Sequence, residues 1–156
     1  MKQAHRFSGE GQAYAGLTRL TSNGPVWTGD IRLAEEILQI PLRWRRPRKI
    51  FVNSMSDLFH EGLSVDAIQA VFTVMARARQ HTFQVLTKRS GRMRDVLRQW
   101  ECDGLTLREG KGVVLPNVQL GVSVEDRQNK SRISDLREVP AAVRFLSLEQ
   151  LLEDLG

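Results

Sequence analysis

Cysteine is nearly missing from this chain. Cys102 is the single one in 156 residues, so one chain can form neither an internal disulfide nor a thiolate-bound metal or iron–sulfur site. Long apolar runs are missing as well. No segment approaches the roughly 18 consecutive apolar residues that a bilayer-spanning helix needs, and the N-terminal MKQAHRFSGE has no apolar signal core. A membrane is therefore not an expected partner, and the predicted location is the cytosol. The phosphate-cradling patterns GxGxxG and GxxxxGK[ST], the nucleophile elbow GxSxG and the zinc helix HExxH are all absent. Nothing before Lys49 reads as a strand. Residues 1–29 are instead punctuated by Gly9, Gly11, Gly16, Gly24, Pro25 and Gly29, which predicts loops laid over a neighbouring surface, anchored by Tyr14 and Trp27. His5-Arg6-Phe7 reads as an exposed basic arm.

What is present belongs to an ordinary globular protein. The chain is 41% hydrophobic and 26% charged, and its length suits one domain with a real core. We divide it into the irregular residues 1–29 and βα repeats over 30–156. The formal net charge is +5 and the pI is near 10.0, a balance that favours a polyanionic partner or an anionic ligand without naming either.

The repeats are read from periodicity. Lys49–Asn53 is a short apolar, β-rich run, and Phe83–Leu86, Val118–Val122 and Val143–Leu146 repeat it. Between the first two, Ser64 caps an amphipathic segment with Val65, Ile68, Val71, Phe72 and Met75 at i, i+3, i+4 spacing. A second helix is predicted over Gly91–Trp100, a third over Ser131–Val139 before Pro140, and a last one from Glu149. Asp30 is the predicted cap of an earlier helix carrying Ile31, Ala34, Ile37 and Leu38 and stopped by Pro41. Residues 101–116 read as a loop or a small excursion. Strand and helix in alternation call for a parallel sheet. Four strands are too few for a closed eight-stranded barrel, so the fold class is α/β, an open parallel sheet or a partial (β/α) barrel.

Each predicted strand ends in polar residues, and ligands of such folds bind at the carboxyl ends of the strands. Asp57, His60 and Glu61 follow the first strand and are candidates for acid–base chemistry, although their spacing matches no metalloenzyme signature. Thr87, Lys88 and Arg89 follow the second and suit a phosphate or carboxylate. Ser123 and Glu125 end the third strand, and Glu149 ends the fourth. These charges can neutralise one another across the rim, bind a ligand, or do both. A second cluster is Arg43-Trp44-Arg45-Arg46-Pro47-Arg48. It reads either as a phosphate-binding segment with a base stacked on the indole or as a connector with Trp44 packed inward. Arg92, Arg94 and Arg98 form a further basic stripe on the second helix.

Four blocks, IFVNSMSDLFHE, HTFQVLTKR, LPNVQLGVSVED and AAVRFLSLE, resemble in order and spacing a phage- and prophage-associated family of unassigned function with a radical-SAM-like partial barrel. The resemblance covers Phe7 to Leu155. It implies an N-terminal strand and a cysteine-rich loop ending in a Cys-Tyr-Ala-like step that ligates a [4Fe–4S] cluster for S-adenosylmethionine. It also implies a further strand and a glycine-rich segment after the last helix. This chain starts past those cysteines, Cys102 lies in the variable excursion, and Gln150 stands where the family implies proline. A truncated, single domain is therefore expected, with no cofactor.

Three functions follow as expectations. One is a cluster-less, catalytically inert domain that keeps a nucleotide-like ligand pocket at Ser54, Asp57, Thr87, Lys88, Ser123, Glu125 and Glu149. Another is a small basic phage protein that binds a host protein or nucleic acid, including host defence machinery, through Arg43, Trp44, Arg45, Arg46, Arg48, Arg92, Arg94 and Arg98. The last is an enzyme that uses Asp57, His60 or Glu61 without a cluster. Exposed sheet edges also predict a homodimer.

Overall fold

The computed structural model describes residues 2–9, 12, 14–53, 56–103, 106–109 and 112–148. They fall into two compact units, Met1–Ile40 and Pro41–Gly156. Among the described residues no helix is long and apolar enough to cross a membrane.

The first unit holds α1 (Lys2–Arg6) and the antiparallel hairpin of β1 (Thr18–Thr21) and β2 (Gly24–Trp27). The hairpin corrects the expectation of loops alone. Asn23-Gly24 is a strong hairpin signal, Gly24 adopts φ 105°, and Thr21 Oγ1 donates to the Gly24 carbonyl at 2.7 Å. The short strands and Pro25 hide this pattern, because proline is tolerated only in an edge position. Tyr14 and Trp27 meet with ring centroids 6.2 Å apart. Asp30 caps nothing: the predicted helix is reduced to α2 (Glu35–Leu38), preceded by Ala34. Pro41 does not stop a helix but sits in the first turn of α3 (Ile40–Arg43), where its missing N–H would be unpaired in any case.

The second unit is built on four parallel strands: β3 (Lys49–Val52), β4 (Thr82–Thr87), β7 (Val118–Ser123) and β8 (Val143–Ser147). All four lie where the sequence predicts them. The crossovers are α4 (Val65–Arg77), α5 (Ser90–Leu97) and α6 (Ser131–Glu138). Ser64 caps α4 as expected, its Oγ accepting from the Ala67 N–H at 3.2 Å. The antiparallel pair β5 (Trp100–Asp103) and β6 (Thr106–Glu109) fills the predicted excursion. Trp100, expected on the helix, instead opens β5, and its buried indole packs edge-on against Phe72 at 6.0 Å.

The four-stranded sheet runs β3-β4-β7-β8, so its spatial order equals its chain order. A doubly wound sheet reverses at a switch point and carries helices on both faces. This one never reverses. Register pairs Phe83 with Val118, Val85 with Leu120 and Thr87 with Val122. The apolar side chains of this row share one core with Ile68, Phe72 and Met75 of α4, Met93, Val96 and Leu97 of α5, and Leu136 of α6. Burying each such side chain stabilises by about 1.5–3 kcal/mol.

The opposite face carries Phe51, Gln84, Gln119 and Val143 in one registered row. Gln84 donates to Gln119 across it at 2.9 Å. In the next row Phe145 lies over Gly121, where an added Cβ would come 2.5 Å from the ring. Only glycine allows that approach.

Asn117 is the tie between helix and sheet that periodicity does not reveal. Its amide donates to the carbonyls of Met75 (3.0 Å), Ala78 (3.4 Å) and His81 (3.2 Å), closing the turn between α4 and β4. An Asn117→Ala variant leaves those carbonyls without this donor. It should lose about 1–3 kcal/mol, read as a lower urea midpoint at unchanged slope.

Candidate functional site

β3 is followed by a turn at Asn53 and then by the segment SDLFHEG over 56–62, and the turn needs a residue with a left-handed backbone. Asn53 supplies it with φ 60°, a conformation asparagine adopts more readily than most side chains. The loop then delivers Asp57 to the end of β4. Asp57 Oδ1 accepts from Thr87 Oγ1 at 2.7 Å and from the Phe59 N–H at 2.9 Å. Its Oδ2 accepts from the Lys88 N–H at 3.2 Å and from Arg89 Nη1 at 3.0 Å. Thr87 is buried and its hydroxyl in turn accepts from the Arg89 N–H at 2.9 Å. Arg89 Nε reaches back to Glu61 at 2.8 Å. From α5, Arg92 donates to the carbonyls of Phe59, His60 and Leu63. The loop is thereby stapled at two points, to β4 by a carboxylate and to α5 by a guanidinium.

A second ion-pair group follows β7. Glu125 binds Lys88 with one carboxylate oxygen and Arg132 with the other, the latter at 3.0 Å. Arg132 also donates to the Ser123 carbonyl at 2.8 Å. The hydrogen bond from Lys88 holds the Glu125 carboxyl below its ordinary range, and the hydrogen bond from Arg89 does the same for Glu61.

These groups surround an open cavity of roughly 490 Å³ at the carboxyl ends of β3, β4 and β7. Phe51 and Leu86 give it an apolar wall, and Asn53, Ser56, His60 and Ser123 a polar one. Asp57, Thr87, Lys88 and Arg89 line it with groups already engaged in the lattice. The side chains of Asn53, Ser56 and Ser123 make no hydrogen bond among the described residues. His60 Nδ1 accepts from the Gly62 N–H at 3.1 Å, so in the neutral imidazole the proton sits on Nε2, leaving a donor for the cavity.

The structure therefore joins most of the predicted rim residues and divides their roles. Asp57, Thr87, Lys88 and Glu125 meet in one lattice, while Ser123 and His60 face the cavity beside it. Ser54 and Glu149 lie outside the described residues. Phe51, Asn53, Ser56 and Leu86 are the lining residues that rim reasoning passed over. The alternation of Lys49–Val52 was the available signal for Phe51, since it turns Phe51 away from the helices.

The basic residues also divide. Arg92 is used on loop carbonyls, while Arg94 pairs with Asp135 and Arg98 with Glu138, across α5 and α6. Trp44 carries the Arg48 guanidinium 4.4 Å from its ring centroid and meets the buried His81 edge-on at 5.9 Å.

A [4Fe–4S] cluster requires three thiolate ligands from the protein, and these 156 residues contain only Cys102, on β5. Among the described residues no three His, Cys, Asp or Glu side chains converge as a metal site. The donor set does not fit the cluster.

Two outcomes follow from the lattice. Asp57→Ala should destabilise the chain by about 1–3 kcal/mol, because it leaves the Thr87 hydroxyl and the Phe59 and Lys88 N–H groups without this acceptor and Arg89 with Glu61 alone among the described residues. This is measurable by urea unfolding. Glu125, with a lowered folded-state pKa, contributes stability that is fully present above the unfolded glutamate range near pH ~4.3 and lost as pH falls through the folded value. Urea midpoints compared between pH 7 and pH 3 should therefore fall less in Glu125→Gln than in the wild type.

No curated protein and no solved structure matches this chain. One family model, described as "Protein of unknown function (DUF5131)", matches residues 1–156. With the match running over the whole sequence, the chain belongs to the DUF5131 family.

Proposed function

We propose that the rim of this sheet binds a small nucleotide-like ligand, in a phage- or prophage-associated, radical-SAM-like protein that performs no cluster chemistry with these residues. One observation carries the reading: the cavity at the strand ends combines a half-exposed aromatic ring, Phe51, with hydrogen-bonding groups that the described residues leave uncommitted. A planar heterocycle stacks on the ring, and its polar edge meets Asn53, Ser123 and the Nε2–H of His60. Sheets of this kind bind ligands at this end. The ion pairs around the cavity favour binding over acid–base turnover. Asp57 already accepts four hydrogen bonds, and Glu61 and Glu125 are held ionised by Arg89 and Lys88.

Isothermal titration with adenosine, S-adenosylmethionine and a nucleoside monophosphate tests the reading. Saturable heat with at least one of them is expected. Phe51→Ala should then weaken it about ten- to a hundredfold, the range that base–aromatic stacking supplies. No heat with any of the three, at millimolar ligand and with folded protein, overturns the proposal.

A further inference from the structure

The net charge of +5 is not spent at the rim. Lys88, Arg89 and Arg132 there are matched by Asp57, Glu61 and Glu125. Cations without a carboxylate partner among the described residues collect at the other end of the sheet. Arg43, Arg45, Arg46, Arg48 and Lys49 lie within seven positions, and all five are exposed. Lys49 opens β3, so this segment sits at the amino ends of the strands, opposite the rim. We propose that it is a docking surface for the phosphate backbone of duplex nucleic acid, independent of any ligand bound at the rim.

The segment is not a loose tail. Gln80 Nε2 donates to the Trp44 carbonyl at 3.0 Å, His81 Nε2 to the Pro41 carbonyl at 2.9 Å, and the Thr82 N–H to the Arg48 carbonyl at 2.9 Å. These three consecutive residues, from the turn after α4 into β4, hold the backbone of 41–48 and so fix where the cations project. At no more than about 3.3 Å per residue, residues 43–49 reach about 20 Å, comparable to six base-pair steps of a duplex. Phosphate binding by arginines whose backbone is already held loses less conformational entropy than binding by a disordered basic arm.

The choice of partner rests on what the surface lacks. Leu42 packs against the core, and Trp44 is half-buried between His81 and the Arg48 guanidinium. The exposed apolar side chain of the segment is Pro47, too small an area to enter a lipid interface, as membrane-surface helices require, or to form the apolar centre of a protein interface. No free aromatic face remains to stack an unpaired base. Residues 44–48 form no helix or strand that could enter the major groove and aim a guanidinium at a base edge, so their cations meet phosphates and binding is independent of sequence.

Fluorescence anisotropy with two labelled 20-base-pair DNA duplexes of unrelated sequence, titrated at 50–200 mM salt, tests this. For four or five neutralised phosphates the slope of log K against log salt is about −3.5 to −4.5. That is a loss of about a hundred- to five-hundredfold across the range. The two duplexes should agree within about threefold. The double variant Arg45→Glu/Arg46→Glu should bind at least about tenfold more weakly with a flatter slope. Arg45→Gln/Arg46→Gln should fall between it and the wild type, both with unchanged thermal midpoints. Salt-insensitive binding, equal binding by the variants, or binding to phosphatidylserine vesicles with none to either duplex overturns the proposal.

Discussion

Four hydrogen bonds converge on the carboxylate of Asp57, two on each oxygen, and they come from three stretches of the chain. One donor is in its own loop, one is the last residue of β4, and two belong to the segment that leads into α5. A carboxylate with a filled complement of donors, one of them a guanidinium, holds its partners in one geometry. The loop after β3, the start of α5 and the wall of the rim cavity are therefore placed by a single side chain. Arg92 supports the same loop from the other side by taking up its carbonyls.

Strand order and charge distribution share a consequence. Because spatial order equals chain order, every crossover packs its helix on one face, and the other face turns Phe51, Gln84 and Gln119 away from the core. The carboxyl ends of the strands then hold the neutralised ion pairs, and the amino ends hold the unmatched arginines. Opposite ends of one small sheet thus present different chemistry: a preorganised, nearly neutral cavity and a fixed cationic strip.

Much of the architecture was legible because burial imposes a period. The four strands and the long helix after Ser64 each bury an alternate or a three-to-four-residue row, and those rows mark them in the sequence. The hairpin at residues 18–27 was not legible, since its strands are four residues each and are not organised by the buried core of the sheet. Trp100 was assigned to a helix because its spacing from Met93 and Val96 fits a helical face. Its contact with Phe72, 28 residues earlier, is made from a strand. Glu125 was foreseen at the rim, but its partner Arg132 was not, because a seven-residue separation carries no pairing signal until the turn at Arg127–Asn129 folds it back.

The amino-acid sequence by itself determined the parallel α/β class, the positions of the four strands and the polar character of their ends. These follow from local periodicity and from which residue types follow each apolar run. Only the tertiary structure decided which charges are consumed and which remain. Asp57, Lys88 and Glu125 became a lattice, and Arg92, Arg94 and Arg98 became braces between elements. Phe51 became the open wall of a cavity, and the cations from Arg43 to Lys49 stayed without a carboxylate partner among the described residues. Side-chain pairing depends on distances between segments that lie apart in the chain, and those distances exist only once the sheet has formed.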